Sequence, residues 1–217
     1  MSERPLVAVL DYGIGNLHSA QKALERMGAD ARLTVDPGLV ADAAGVVLPG
    51  VGAFGACMRT LRSVGLEQPA LDAVASGRPF LGICVGMQML FDRSEEDDEA
   101  RGLGVIPGTI RWIPPGLKIP QMQWNRLEVR IADDPMLAAL GDDPWVYFVH
   151  SLHGVPDDPS VVAATCEYGA TLNAAFRLGN VFATQFHPEK SGPTGLQLLA
   201  NFVGVCVAAR HGSELAS

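Results

Sequence analysis

Two short stretches carry the residue types that could do covalent chemistry. In Arg78-Pro-Phe-Leu-Gly-Ile-Cys84-Val-Gly-Met-Gln88-Met-Leu-Phe91 a compact apolar run, Pro79 to Ile83, has the length of a buried strand. Met87, Leu90 and Phe91 follow Gly86 at helical spacing. Cys84 sits between them, bracketed as Gly82-Ile-Cys84-Val-Gly86, the thiol counterpart of a Gly-x-Ser-x-Gly nucleophile elbow. Such a turn is strained and packs backbones closely, so glycine is required on both sides. A thiol at a helix N-terminus is drawn towards the thiolate, and the N–H of Val85 points where an oxyanion would form. The bland reading, in which Cys84 is a small buried hydrophobe, is weakened by the glycine bracket.

A thiol nucleophile needs a base, and the base needs an orienting carboxylate. Val181-Phe-Ala-Thr-Gln-Phe186 reads as a strand and runs directly into His187-Pro188-Glu189-Lys190. Pro188 holds His187 extended, and side chains two apart on an extended backbone point the same way. One loop would then offer imidazole and carboxylate together. On its own a His-x-Glu is more often surface decoration; beside a cysteine elbow in one α/β chain it becomes a triad candidate. His150 is a rival base, but no carboxylate stands two residues on.

Together, Gly82-Ile-Cys84-Val-Gly86-Met-Gln88 and Gln185-Phe-His187-Pro-Glu189-Lys190-Ser191 resemble the class I, triad-type glutamine amidotransferases. Four further stretches narrow the resemblance: Asp11-Tyr-Gly-Ile-Gly-Asn16, Leu48-Pro-Gly-Val-Gly-Ala-Phe-Gly55, Phe91-Asp-Arg-Ser-Glu-Glu96 and Tyr147-Phe-Val-His-Ser151. They are similar to the glutaminase subunits of imidazole glycerol phosphate synthase, over about residues 6–208. The resemblance implies that Cys84, His187 and Glu189 are catalytic, and that Val51 or Gly52 joins Val85 in binding the oxyanion. It implies that Gln88, Glu96, Val149, His150 and Ser151 hold glutamine, Glu96 suiting the α-ammonium group. It also implies a separate (β/α)₈-barrel cyclase subunit that receives the ammonia, met by Asn16, Met122, Trp124 and Lys190. By the same resemblance the glutaminase stays nearly silent until the partner binds its substrate. No metal and no organic cofactor are expected.

The elements that must position these residues are legible in order. Leu6-Val-Ala-Val-Leu10 reads as a buried strand, followed by a helix with Leu17, Ala20, Leu24 and Met27 on one face. Gly13 and Gly15 suggest a dinucleotide loop, but His18 stands where the third glycine belongs, which argues against a Rossmann cofactor. Asn16 could be simply a helix N-cap. A strand near Ala31–Val35 ends in an Asp36-Pro-Gly turn, and Gly45–Leu48 runs into Pro49-Gly-Val-Gly52. One helix or a helix pair spans Phe54–Ser76, broken near Gly65 and Pro69. The charge run Asp92–Glu99 reads as a solvated loop. From Leu103 to Leu152 many prolines punctuate short strands, expected as antiparallel additions to the sheet. Strands at Val161–Cys166 and Asn173–Arg177 precede the His187 loop, and a helix from about Gly195 to Ala208 closes the domain, with a loose tail over 209–217.

The family's usual Pro-His-Met-Gly-Trp is here Pro120-Gln121-Met122-Gln123-Trp124, and Leu152 and Arg101 also depart from expectation. These differences leave the catalytic chemistry alone but touch the partner-facing loop.

The whole chain suits these readings. Its 217 residues fit one compact domain, 1–217, with a three-layer α/β fold and a mostly parallel central sheet. That is the flavodoxin-like fold the resemblance implies. A net charge of −8 argues against nucleic acid or an anionic membrane as partner. Asp11 interrupts the first apolar run, so no signal peptide is expected, and no segment reads as a membrane span. Cys57, Cys84, Cys166 and Cys206 are scattered, without metal or disulfide spacing, which suits a reducing cytoplasm; Cys166 and Cys206 read as core. Two other readings stand beside the main one: a different ammonia-donating subunit, and a non-glutaminase or peptidase-like relative with a cysteine elbow.

Overall fold

The computed structural model describes residues 4–214, the last four by backbone alone. Its main sheet has eight strands: Leu6–Leu10 (β1), Asp30–Thr34 (β2), Gly45–Gly50 (β3), Phe80–Cys84 (β4), Glu128–Val129 (β9), Val162–Glu167 (β12), Thr171–Leu178 (β13) and Val181–Thr184 (β14). The order is β2-β1-β3-β4-β14-β13-β12-β9. The first five are parallel, and β13, β12 and β9 continue the sheet antiparallel. β3, β4 and β14 are buried along their whole length, which is why they read as unbroken apolar runs.

Helices Leu17–Arg26 (α1), Pro37–Asp42 (α2), Phe54–Ser63 (α3), Glu67–Ala75 (α4), Val85–Gln88 (α5) and Gly192–Glu214 (α6) complete the layers. α1 packs against α6, and α2 against α4. The Asp36-Pro-Gly segment is the start of α2 rather than a free turn, because the Asp36 carboxylate caps Gly38 N–H at 2.9 Å. The break in the helix pair falls at Gly65, φ +75°, whereas Pro69 sits harmlessly in the first turn of α4.

Three expectations need correction. The segment 103–152 contributes only β9 to the main sheet. Its other strands, Ile106–Trp112 (β7), Gln121–Arg126 (β8), Trp145–His150 (β10) and Leu152–Pro156 (β11), build two smaller sheets. The acidic run forms a hairpin of Phe91–Ser94 (β5) and Asp97–Arg101 (β6) within the sheet β11-β7-β5-β6. Ser94 and Ala100 point inwards while most of the charges stay in water. Lastly, α5 is only four residues long; Phe91 opens β5 instead of extending the helix.

α6 is longer than the sequence suggested and includes residues 209–214; 215–217 lie outside the described residues. By length and composition alone its stretch Gly192–Arg210 could cross a membrane. Here Leu198, Leu199, Phe202, Val203 and Cys206 are buried in the protein.

Candidate active site

The elbow is built by close approach. Cys84 ends β4 and adopts φ +56°, a left-handed conformation that a non-glycine residue holds only when its surroundings enforce it. A Cβ on Gly86 would lie 1.9 Å from the carbonyl oxygen of Leu48 in β3, and one on Gly82 would lie 3.0 Å from Met87 Cα. Both glycines are therefore demanded by packing. The shortness of α5 leaves little dipole, so the local N–H groups at its start, rather than a macrodipole, supply positive potential at the thiol.

β14 pairs in parallel with β4, Thr184 opposite Ile83, so the chain leaving each strand emerges at the same end of the sheet. That brings His187 to Cys84. His187 Nδ1 is 2.8 Å from Glu189 Oε1, and both side chains are almost fully buried. The pairing arises differently from the extended geometry expected: His187 is extended, but Pro188–Lys190 forms a 3₁₀ turn that folds the carboxylate back. Burial alone would lower the His187 pKa; hydrogen bonding and charge from Cys84 and Glu189 outweigh it and push it up to about 10. Asn16 does not cap α1. Its Nδ2 instead donates to Glu189 Oε1 at 3.4 Å.

A cavity of about 260 Å³ opens over the elbow. It is lined by Val51, Gly52, Cys84, Val85, Gln88, Glu96, Val149, His150, Ser151 and His187, together with Pro120 and Leu152. Every proposed oxyanion and glutamine residue is thus on its wall, with Glu189 behind His187. Glu96 is set at the turn of the β5–β6 hairpin, where its Oε2 accepts from Phe54 N–H at 2.7 Å. Met122 and Trp124 are exposed on β8, Trp124 against the Tyr147 ring, and Lys190 is exposed beside Glu189. No cluster among the described residues has the composition of a metal site.

Several supporting residues escaped sequence reading. Gln185 is fully buried; its Nε2 lies 3.9 Å from Cys84 Sγ and its Oε1 accepts from Gln88 Nε2 at 3.1 Å. Gln88 also reaches the Leu152 carbonyl at 3.4 Å. The His150 ring sits between that carbonyl and the Gln121 carboxamide, 2.7 Å from each, and burial lowers its pKa to about 4. His150 is therefore a much weaker base than His187.

The arrangement of thiol, imidazole and carboxylate, with the backbone of Val51, Gly52 and Val85 on the same cavity wall, suits acyl transfer from an amide. The sequence model of the family described as "Glutamine amidotransferase class-I" matches residues 8–205. The chain belongs to the class I glutamine amidotransferases. This amidotransferase is 49% identical over 213 residues to the "Imidazole glycerol phosphate synthase subunit HisH" of Synechococcus elongatus, covering 97% of this chain and 98% of that one. The protein of the same name from Synechococcus sp. strain JA-3-3Ab is 52% identical over 91% of this chain and 92% of its own. That from Geobacter sulfurreducens is 49% identical over 90% and 97%. A crystal structure of a putative GMP synthase protein from Thermoplasma acidophilum superposes with a TM-score of 0.75 at 21% identity, covering 99% of this amidotransferase and all of that chain. One described simply as "glutamine amidotransferase" gives 0.73 at 23% identity, over 93% and 98%. The structural likenesses establish the shared fold.

Proposed function

We infer that this amidotransferase is the glutaminase subunit of imidazole glycerol phosphate synthase, in histidine biosynthesis. The reading of its site rests on one observation above the rest: a single cavity collects Cys84, His187, the Val51–Gly52 and Val85 backbone, and the polar groups Gln88 and Glu96. Glutamine binds with its α-ammonium group towards Glu96 and its carboxamide at Cys84. The thiolate attacks the carboxamide carbon, and the oxyanion is received by N–H groups of Val85 and of Val51 or Gly52. Losing one such donor typically costs about 100- to 1,000-fold in rate. His187 protonates the departing ammonia. Water then attacks the thioester with His187 as general base, releasing glutamate and restoring the thiol. Glu189 fixes the imidazole tautomer and stabilises the imidazolium. No cofactor takes part.

The whole chain acts as one amidotransferase unit. Ammonia passes to a (β/α)₈-barrel cyclase subunit, where it enters imidazole glycerol phosphate with an aminoimidazole carboxamide ribotide as co-product. The partner covers the face of Asn16, Met122, Trp124 and Lys190, next to the triad. The complex works in the cytoplasm, and neither nucleic acid nor membrane is a partner of a chain carrying −8.

The test is glutamine hydrolysis by wild type and Cys84→Ala, with and without the cyclase partner and its ribonucleotide substrate. Partner-dependent glutamate release, abolished in the variant, is expected. Equal release by both proteins would remove Cys84 as nucleophile. Labelling of Cys84 with no turnover under any condition would favour the non-glutaminase reading.

A further inference from the structure

Two buried side chains without a role so far touch the backbone segment assigned the second oxyanion donor. Tyr12, from the Asp11-Tyr-Gly-Ile-Gly loop, is 1% exposed, and its hydroxyl donates to the Pro49 carbonyl at 2.7 Å. Cys57, in the first turn of α3, is fully buried, and its Sγ lies 3.2 Å from the Val51 carbonyl oxygen. The Tyr12 hydroxyl also lies 3.7 Å from Met89 Sδ. Burial raises the pKa of the Cys57 thiol, so near neutral pH it carries the proton it needs to donate.

The Cys57 contact falls where the sheet stops helping, and the Tyr12 contact at the last steps of the ladder before it. The ladder between β3 and β4 ends at the Gly50–Cys84 pair, and residues 51–53 belong to no strand or helix. Their orientation must come from elsewhere. In a planar trans peptide the C=O and the next residue's N–H point in opposite directions. Holding the Val51 carbonyl therefore fixes the Gly52 N–H, while holding the Pro49 carbonyl keeps the Gly50 N–H turned to β4 and anchors the strand end from which the segment departs. Val51 and Gly52 line the cavity while Cys57 does not. A Val51 carbonyl tied to Cys57 turns the Gly52 N–H the other way.

We propose that Tyr12 and Cys57 are positioning residues for the oxyanion, Cys57 holding the Val51 carbonyl and Tyr12 anchoring the Pro49 carbonyl just before it, so that the Gly52 N–H meets the charge formed above Cys84. The inference deepens the glutaminase reading and rests on it. It separates two uses of a buried polar group: simple filling of the core, which phenylalanine at 12 and alanine at 57 would nearly satisfy, and alignment of a peptide, which they would not.

The experiment compares Tyr12→Phe, Cys57→Ala and Cys57→Ser in the full chain with its cyclase partner and ribonucleotide present. Misplacing a donor without removing it is expected to lower kcat about ten- to a hundredfold in Tyr12→Phe and Cys57→Ala. KM, glutamine affinity measured in a Cys84→Ala background, and alkylation of Cys84 by chloroacetamide, which builds no oxyanion, should all stay within about twofold of their parents. Cys57→Ser keeps a donor and should recover most of the rate. Unchanged kcat in both Tyr12→Phe and Cys57→Ala would overturn the brace, as would a Cys57→Ser enzyme no faster than Cys57→Ala. So would alkylation and affinity falling in parallel with kcat, the mark of general disruption. A wild type that is alkylated but never hydrolyses glutamine would overturn the glutaminase reading, and the brace with it.

Discussion

The end of the Gln121 side chain lies 2.7 Å from His150 Nε2, while the carbonyl of Leu152 lies 2.7 Å from His150 Nδ1. A neutral imidazole has one N–H, and the carbonyl can only accept, so Nδ1 carries the proton. Nε2 then needs a donor. The oxygen and nitrogen of a carboxamide are nearly alike in shape, and the network decides which faces which. The structure sets Gln121 Oε1 against His150 Nε2 and Gln121 Nε2 towards Cys166 Sγ at 3.9 Å. Turning the carboxamide over gives His150 Nε2 its donor and leaves the oxygen to the Cys166 thiol, which, pushed up to about 11 by burial, is protonated and can donate. The bonds then continue through Leu152, Gln88 and Gln185 to Cys84.

Nitrogen-15 spectra of the His150 ring should therefore show a single Nδ1–H tautomer that does not titrate between about pH 5 and 8. Gln121→Glu sets a carboxylate against Nε2 and should bring the imidazolium into that range. Gln121→Met leaves Nε2 unpaired and should cost about 1–3 kcal/mol in denaturant unfolding. A wild-type ring that is doubly protonated at neutral pH would refute the assignment.

The buried histidines shape stability against pH in opposite senses. His150 and His153 have native pKa values lowered to about 4, chiefly by desolvation, from 6.5. The unfolded chain binds more protons in that window, so their contribution falls as the pH drops from 6.5 to about 4. His187 is raised from 6.5 to about 10, so its contribution is complete below 6.5 and lost as the pH rises through 10. Unfolding free energies should peak between the two limbs. His187→Gln should flatten the alkaline limb and leave the acid one; a parallel change in both limbs would refute this division.

Glu189 makes its link to His187 with one oxygen, and the other, Oε2, is buried without a hydrogen-bond partner among the described residues. Glu189→Gln keeps the shape but removes the charge that supports the imidazolium. Turnover is expected to fall roughly 100- to 10,000-fold with little change in KM. Asn16→Ala, which removes only the long 3.4 Å bond to the same carboxylate, should have a far smaller effect. Steady-state glutaminase kinetics separate the two; equal losses would mean that Asn16 does more than orient Glu189.

Asp134 is a stability residue that does not line the cavity. Its buried carboxylate takes both Arg177 Nε and Nη2, at 2.8 and 2.9 Å, and also caps Met136 N–H at 2.8 Å. Asp134→Ala strands a guanidinium that is only 19% exposed and should cost about 3–5 kcal/mol. Below its melting temperature the variant should hydrolyse glutamine at the parental rate. Loss of activity without loss of stability would contradict this.

What the sequence disclosed was local. The elbow and the His187 loop each join an apolar strand run to glycine or proline within a dozen residues, and such patterns survive without knowing the fold. The hairpin at Asp92–Glu99 was missed because beyond Phe91 its inward residues are only Ser94 and Ala100, which carry almost no hydrophobic signal. Leu90 and Phe91 are buried whether they belong to a helix or a strand, so their spacing could not tell where α5 ends. The pairings β8–β10 and β7–β11 join segments tens of residues apart, and nothing in either partner names the other. Tyr12, Cys57, Gln121 and Gln185 were silent for the same reason. Each is a single polar group in apolar surroundings, and each finds its partner only through the tertiary fold.

β14 is the last strand to follow in the chain among the described residues, yet it lies between β4 and β13, near the middle of the main sheet. β13 and β14 are joined by Gly179 and Asn180 alone and enter the sheet as one antiparallel hairpin. While the chain is being made, the β4 edge stays unpaired until β14 docks on it, open to capture by the wrong segment. The same delay has a protective side. His187 arrives only after β14, so on the proposed mechanism a growing chain carries its thiol without its base until then.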